Sequence, residues 1–439
     1  MARRGLLQTA VLVTLVATGV SAETFRTFDG HGGPIKGVVV SEDGDTLLTT
    51  SFDNSVGLWP LGKTDAPLWL EGHEAAVNTG LFLPDARAAT GGDDFAIIIW
   101  DLDASRLLHR LTGHAGKVMA LASSPDGTKL ASASWDGTAR IWDVETGGSL
   151  AELTDHDGSV NDLAWSQDGT RLYSASYDGT LIEWDTSDFT PLRRLASHGF
   201  GINVITLNDA QGWIAYGALD GGTRALDLET GEELADLTAD RRPVLALAQS
   251  SDGGRIAVGD GEGYIMVVET ETWRIAHDFR AALNGPIWAL DFTDNGAGII
   301  AGGIADEAFL WPLDAGGDTP RMAELQRAFH VDPDQVSNGE RQFLRKCSIC
   351  HTLRGDGERR AGPPLEGLFG RVAGTVPDYP YSEAVRGADL VWTDDTIDAL
   401  FDIGPEHYIP GTKMPMQQIA KPEDRADLIE FLKRETKTE

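Results

Sequence analysis

A spacing of about 42 residues recurs from residue 26 to residue 312, and it limits what this chain can fold into more than any other feature. "TGGDDFAIIIWD" (90–101), "SASWDGTARIWD" (132–143) and "SASYDGTLIEWD" (174–185) are its clearest copies. One column holds Trp59, Trp100, Trp142, Trp184, Leu226, Val268 and Trp311. Six residues before each of the first six stand Asp53, Asp94, Asp136, Asp178, Asp220 and Glu262. A second column holds His31, His73, His114, His156 and His198, usually after Gly. Between the columns lie short alternating segments such as "VMALASS" and "KLASAS", separated by "PDGT" or "QDGT" turns. That is strand–turn–strand at the spacing of a many-stranded β protein.

These Gly-His and Trp-Asp marks at a period of 40–45 resemble the WD40 repeat, which implies four strands per blade of a β-propeller. The count predicts seven blades. The last repeat stops near Pro312 without an outermost strand, so the N-terminal "TFRTF" (24–28) is expected to supply it and close the ring. Repeats five to seven depart from the pattern, since Leu226 and Val268 replace Trp and the Gly-His is missing from six and seven. The resemblance implies that the His and Asp columns form hydrogen-bonded networks inside each blade, a structural role. A buried carboxylate needs such partners.

The first residues, "MARRGLLQTAVLVTLVATGVSAETF", have the parts of a secretory signal: Arg3 and Arg4, an apolar run, and small residues before Glu23. Cleavage is expected after Ala22, which leaves no membrane-spanning segment and predicts a periplasmic protein. The chain carries 68 Asp+Glu against 36 Lys+Arg, a formal charge of −32. Such a surface repels nucleic acid, whose binding rests on neutralising phosphates; it would be drawn to a basic partner, but the simpler expectation is a solvated acidic surface.

After "LDAGGDTPRM" (313–322) the periodicity changes. "DPDQVSNGERQFLRKCSICHTL" reads as a helix leading into Cys347 and Cys350, the only cysteines, with His351 next to the second. A C-x-x-C-H allows a redox dithiol, part of a metal site, or attachment of haem c. No βαβ pattern surrounds it, and a zinc site would need a fourth ligand, with only His330 and His407 as further histidines nearby. "EDRADLIEFLKRET" (423–436) reads as an amphipathic terminal helix.

"CSICHTL", "GPPLEGLFGR" (362–371), "YPYSEA" (379–384), "VW" (391–392) and "YIPGTKM" (408–414) follow in the order seen in class I cytochromes c, and the stretch from Asn338 to Thr436 resembles the mitochondrial type. The resemblance implies one covalent haem c, held through Cys347 and Cys350. His351 and Met414 would be the iron ligands, and the Pro363 carbonyl would orient His351. Arg371, Tyr381, Trp392 and Thr412 fall where the family holds the haem propionates, and Tyr408 falls near the methionine sulfur. Met416 is a competing ligand two residues beyond Met414. Two features depart from the mitochondrial type. Val385 stands where a polar Asn is common, and from Asp332 to Glu439 there are 14 Lys+Arg against 20 Asp+Glu, so the domain is acidic rather than lysine-rich.

The expected fold is an all-β seven-bladed WD40-like propeller followed by a small all-α class I cytochrome c domain. The expected boundaries are a signal at 1–22, propeller at 23–314, linker at 315–333 and cytochrome domain at 334–439. The expected function is single-electron transfer with a redox partner protein, the propeller serving as docking scaffold rather than as a catalyst with its own substrate. The alternative is a redox enzyme whose propeller holds a second cofactor, on the pattern of nitrite reductases or quinohaemoprotein dehydrogenases.

Overall fold

In the computed structural model, residues 25–62, 66–239, 243–282, 285–293, 296–313, 336–348, 350–355, 360, 362–377, 379, 381–410, 412, 414 and 418–437 are described. The expected signal (1–22), the expected linker (315–333) and Met416 lie outside them.

The period of the sequence becomes a ring of seven four-stranded antiparallel sheets. In six sheets the four strands follow in chain order from inside to outside. The seventh is completed by the other end of the repeat region: Arg26–Asp29 pairs with Glu307–Pro312, Arg26 opposite Leu310 and Asp29 opposite Glu307. No sheet is thus left one strand short.

Within blades one to four the two sequence columns meet in a single relay. The indole N–H of Trp59 donates to Thr49 Oγ1 (2.7 Å), which lies 2.7 Å from His31 Nε2. The other ring nitrogen of His31 faces Asp53 at 3.1 Å. Trp100–Thr90–His73–Asp94, Trp142–Ser132–His114–Asp136 and Trp184–Ser174–His156–Asp178 repeat it. Burial alone would raise these carboxyls. Hydrogen bonds from the histidines, hydroxyls and backbone N–H groups outweigh it and hold Asp94 and Asp136 at about 2. The fifth blade lacks the Trp and has Tyr216 at the hydroxyl position, so His198 is turned round: Nδ1 meets Tyr216 Oη and Nε2 meets Asp220. In the seventh, Trp311 has no such relay and packs edge-on against Phe25 instead.

Apolar side chains fill the spaces between blades. Leu83, Ile97 and Ile99 of the second blade pack with Val118, Leu130 and Trp142 of the third. Two buried carboxylates add polar bridges across these seams. Asp162 accepts N–H bonds from Leu163 and from Ile205 of the next blade, both at 2.8 Å. Asp291 accepts from Phe292 and, across the closing seam, from Val40.

The C-terminal region holds five helical segments among the described residues: α1 (Asn338–Lys346), α2 (Glu383–Arg386), α3 (Asp394–Ile403), α4 (Pro405–Tyr408) and α5 (Pro422–Glu435). Ser337 caps α1 through the Glu340 N–H, and Thr393 with Thr396 forms a capping box on α3. α1 crosses α5 at Gly339, where a Cβ would collide with the Asp427 carbonyl and lie 2.7 Å from Phe431 Cβ. Only glycine lets the helices approach this closely. Phe343 and Phe431 pack beside the crossing, ring centroids 5.6 Å apart. Among the described residues no helix is long and apolar enough to cross a membrane.

Burial raises the carboxyls of Asp162 and Asp291 to about 7, against the pull of their N–H donors. An unfolded Asp titrates near ~3.9, so the folded ring binds these protons more tightly, and the stability they confer falls as pH rises from about 4 through 7. We predict that the D162N/D291N double variant, which keeps one acceptor oxygen at each site and removes the titrating proton, flattens the decline in thermal stability between about pH 4 and 7. The removed slope should be on the order of 1–4 kcal/mol. Calorimetry across that range is the check, and an unchanged slope would show that these groups do not titrate there.

Candidate functional site

The C-x-x-C-H segment is held where α1 ends. The Cys347 N–H closes the last turn on the Phe343 carbonyl (2.8 Å), and the Cys350 and His351 N–H groups both return to the Cys347 carbonyl, at 3.0 and 2.8 Å. This tight turn presents two thiols and an imidazole on consecutive steps of backbone. Cys347 is buried in the apolar cluster of the domain with Phe343, Leu365, Leu368 and Leu432, and Cys350 is half-buried. Burial pushes the Cys347 thiol up to about 12 and Cys350 up to about 11.

Those shifts bear on the alternatives left open by the sequence. A redox dithiol works through a depressed thiol pKa, and here both are raised. Among the described residues no three His, Cys, Asp or Glu side chains are grouped to hold a metal ion.

His351 is the best-defined element of the site. Its Nδ1 lies 2.7 Å from the Pro363 carbonyl oxygen and donates to it, since that oxygen can only accept. The lone pair is therefore on Nε2, which has no hydrogen-bond partner among the described residues. Burial lowers the pKa of His351, partly opposed by the Pro363 bond, so the ring is neutral at physiological pH. A neutral imidazole with its tautomer locked by a backbone carbonyl is the form that binds a metal. Gly362 makes room for it: a Cβ there would lie 2.6 Å from His351 Nδ1 and 2.7 Å from the Cys350 carbonyl oxygen.

The other sequence-predicted residues are placed as follows. Arg371 is partly buried and donates to the carbonyls of Glu366 (2.7 Å) and Pro364 (3.1 Å), bracing the loop that carries Pro363. Trp392 exchanges backbone bonds with Arg371 and Gly370, while its indole N–H has no partner among the described residues. Tyr381 packs edge-on against Tyr379, centroids 4.6 Å apart, and its hydroxyl is 3.4 Å from the Val376 N–H. Tyr408 ends α4 and packs on the apolar cluster, as does Met414. Thr412 Oγ1 accepts the Met414 N–H at 3.2 Å, fixing the backbone before the methionine. Cys347, Trp392, Tyr408 and Met414 thus all border one apolar cluster.

Two contributors were not singled out from sequence. Gly362 lies inside the quoted "GPP", but its role is a steric one that appears only when His351 folds over it. Tyr379 lies near enough to Cys350 for the thiol to perturb its hydroxyl, whose pKa burial raises strongly. A further contact joins the two halves of the chain. Arg360, between Cys350 and Gly362, lies 3.7 Å from Asp306, in the loop between Gly298–Gly303 and Glu307–Pro312 of the seventh blade.

A buried and a half-buried thiol, a neutral imidazole with an open Nε2, and a methionine on the same apolar cluster form a donor set that fits haem. They define the class as a haem-binding electron-transfer domain. The comparisons agree. Residues 336–435 match the family "Cytochrome c", and residues 22–60, 67–101, 105–143 and 147–185 match "WD domain, G-beta repeat". The C-terminal region is 44% identical over 106 residues to a protein named cytochrome c from Sesamum indicum, covering 24% of this chain and 93% of that relative. It is 44% identical over 102 residues to cytochrome c from Arabidopsis thaliana (23% and 90%) and 43% identical over 102 residues to that from Cochliobolus lunatus (23% and 94%). Through this domain the chain belongs to the cytochrome c family, fused to a seven-bladed WD40-repeat propeller.

Replacing Gly362 with Ala should force the imbalance between its new methyl and the His351 ring to be relieved by moving one of them. We expect a loss of about 1–3 kcal/mol in the stability of the C-terminal domain, with a changed haem absorption spectrum. Thermal melts followed in the haem band test this; an unaltered melt and spectrum would show that the loop absorbs the methyl at no cost.

Proposed function

We propose that this protein is an exported, single-haem electron carrier whose propeller serves to dock its redox partner. Cys347 and Cys350 would hold the haem covalently through thioethers, with His351 Nε2 and Met414 Sδ as its iron ligands. When bound, the group supplies reversible one-electron chemistry at its iron. The observation that supports this reading is the 2.7 Å bond from His351 Nδ1 to the Pro363 carbonyl, which leaves the Nε2 lone pair free for a ligand role.

The chain's own residues supply orientation and environment. Arg371 braces the Pro363–Pro364 loop, so the imidazole plane is fixed relative to the two cysteines. Thr412 holds the backbone leading into Met414. His351 and Met414 together would raise the group's reduction potential and occupy the iron, which would suit electron transfer rather than substrate chemistry. The indole N–H of Trp392 is a donor available to a propionate.

Arg360 supports a role for the propeller in positioning this domain, since it brings the cysteine–histidine loop to the seventh blade. The formal charge of −32 favours a basic partner, with association that slows as salt is added. The leader "MARRGLLQTAVLVTLVATGVSA" supports export to the periplasm, with the mature chain starting at Glu23.

The test uses the full chain purified from periplasm. In M414A the methionine–iron charge-transfer band of the ferric protein should vanish, and the potential should fall by on the order of 0.1 V, within the roughly 0.8 V that axial ligands span. Haem should still resist acid extraction. In C347S/C350S the intact mass should lose the haem increment. A ferric spectrum unchanged in M414A would assign the sixth ligand elsewhere, with Met416 the first alternative.

A further inference from the structure

The central channel of the propeller opens at one end into a cavity of about 330 Å³, bordered by the inner strands of all seven blades. The second residue of each inner strand faces it: Lys36, Asn78, Met119, Asn161, Asn203, Leu245 and Trp288 in turn. Because these side chains differ in kind, the repeat pattern does not account for them.

Lys36 is the unusual member. Its ammonium lies 4.5 Å from the centroid of the Trp288 ring and 5.9 Å from that of Phe52, two rings that stack at 6.2 Å. Among the described residues it has neither a hydrogen-bond acceptor nor a carboxylate within ion-pair range. The other charges near the mouth are already committed. Lys117 pairs with Asp93, which also takes the Asn78 amide. Both oxygens of Asp162 accept backbone N–H groups. The amides are oriented as donors: Asn161 gives one N–H to the Ile202 carbonyl while its oxygen accepts from Trp135, and Asn203 gives one to the Val244 carbonyl. Each of these two keeps a second N–H to donate.

We propose that this channel mouth binds a small organic monocarboxylate, its carboxylate pairing with Lys36 and its body lying against Trp288 and the apolar wall formed by Val38, Met119 and Leu245. One uncommitted cation matches one negative charge; a phosphate would need more. The volume is at the small end of ligand pockets, which span about 300–1,000 Å³, so a free small molecule suits it better than a folded partner. A buried charge is ordinarily paired, and Lys36 has ring faces at contact distance and Asp93 only at longer range, so its near coordination is open to an anion. Burial draws the pKa of Lys36 down to about 8, with Asp93 pulling it up and Lys117 pushing it down, so the site should hold its charge at neutral pH and lose it in mild alkali. Asp162 ionises through about 7 and works in the same direction. The inference does not depend on the identity of the haem ligands.

Isothermal titration of the full haem-loaded chain with benzoate is the test, with benzamide as the neutral isostere and inorganic phosphate as the alternative anion. We expect saturable one-to-one binding of benzoate, at least about tenfold weaker binding of benzamide, and a loss of about tenfold or more in K36Q, as for one charge-assisted hydrogen bond. Raising the pH from about 6.5 to 9.5 should weaken benzoate by a further tenfold or more. That profile is read on the unaltered chain, so it decides even where K36Q fails to fold. Equal binding of benzoate and benzamide, K36Q binding as tightly as the parent, a flat pH profile, preference for phosphate, or no benzoate heat at all would each overturn the proposal.

Discussion

Pairing of Arg26–Asp29 with Glu307–Pro312 is the constraint on which the rest of the propeller depends. Each blade is a twisted sheet whose faces are apolar, and it can bury them only against two neighbours. A ring left open would expose the first inner strand and the last. Closing it brings Ile35 and Val38 against Ala289 and Ile300 and lets Asp291 take the Val40 N–H across 251 residues of chain. The channel mouth exists only because of that closure. Lys36 comes from the first inner strand and Trp288 from the last, and they meet at the closing seam.

The propeller was legible because a β-sheet blade repeats its backbone before it repeats its side chains. The Trp, Asp and His columns mark four complete relays, and the family match to the WD repeat ends with them at residue 185. Beyond that point the period alone carries the fold. The side-chain details there were not legible: Tyr216 in the hydroxyl position turns His198 over, a consequence of ring size that no spacing records. The cavity escaped for a related reason. Its lining residues share one position in the repeat but no chemistry, so they form no column.

The C-terminal site was legible for the opposite reason. Its short motifs occur once each, in an order that the cytochrome c match runs through from end to end. Spacing in C-x-x-C-H ensures that one turn at the end of α1 delivers both thiols and the imidazole, since the Cys350 and His351 N–H groups return to one carbonyl. What spacing left open between a dithiol and a ligand set, burial of the thiols bears on, since it disfavours the thiolate. Thiols with pKa values of about 12 and 11 are poor nucleophiles and poor redox centres at neutral pH. The tautomer of His351 was not legible as geometry either. It rests on the distance to Pro363, and on Gly362 having no side chain to hold the ring away.

The two domains meet through a small but pointed contact. Asp306 occupies the loop between second and third strands of its blade, the position that Phe52 occupies in the first blade and Trp135 in the third. Phe52 and Trp135 border the channel mouth, through Lys36 and Asn161. Arg360, on the loop between Cys350 and Gly362, therefore reaches the same end of the propeller at which the cavity opens. On a chain with nearly twice as many acidic as basic residues, this end gathers cations: Lys36 and Lys117 at the mouth and Arg360 at the rim. Like charges so placed repel one another, and they stay because carboxylates face two of them, Asp93 for Lys117 and Asp306 for Arg360. Lys36 is the third, with ring faces as its near neighbours and Asp93 acting on it only beyond ion-pair range. An ammonium kept in that state by the scaffold is poised for an anion from outside, at the end of the propeller that Arg360 reaches.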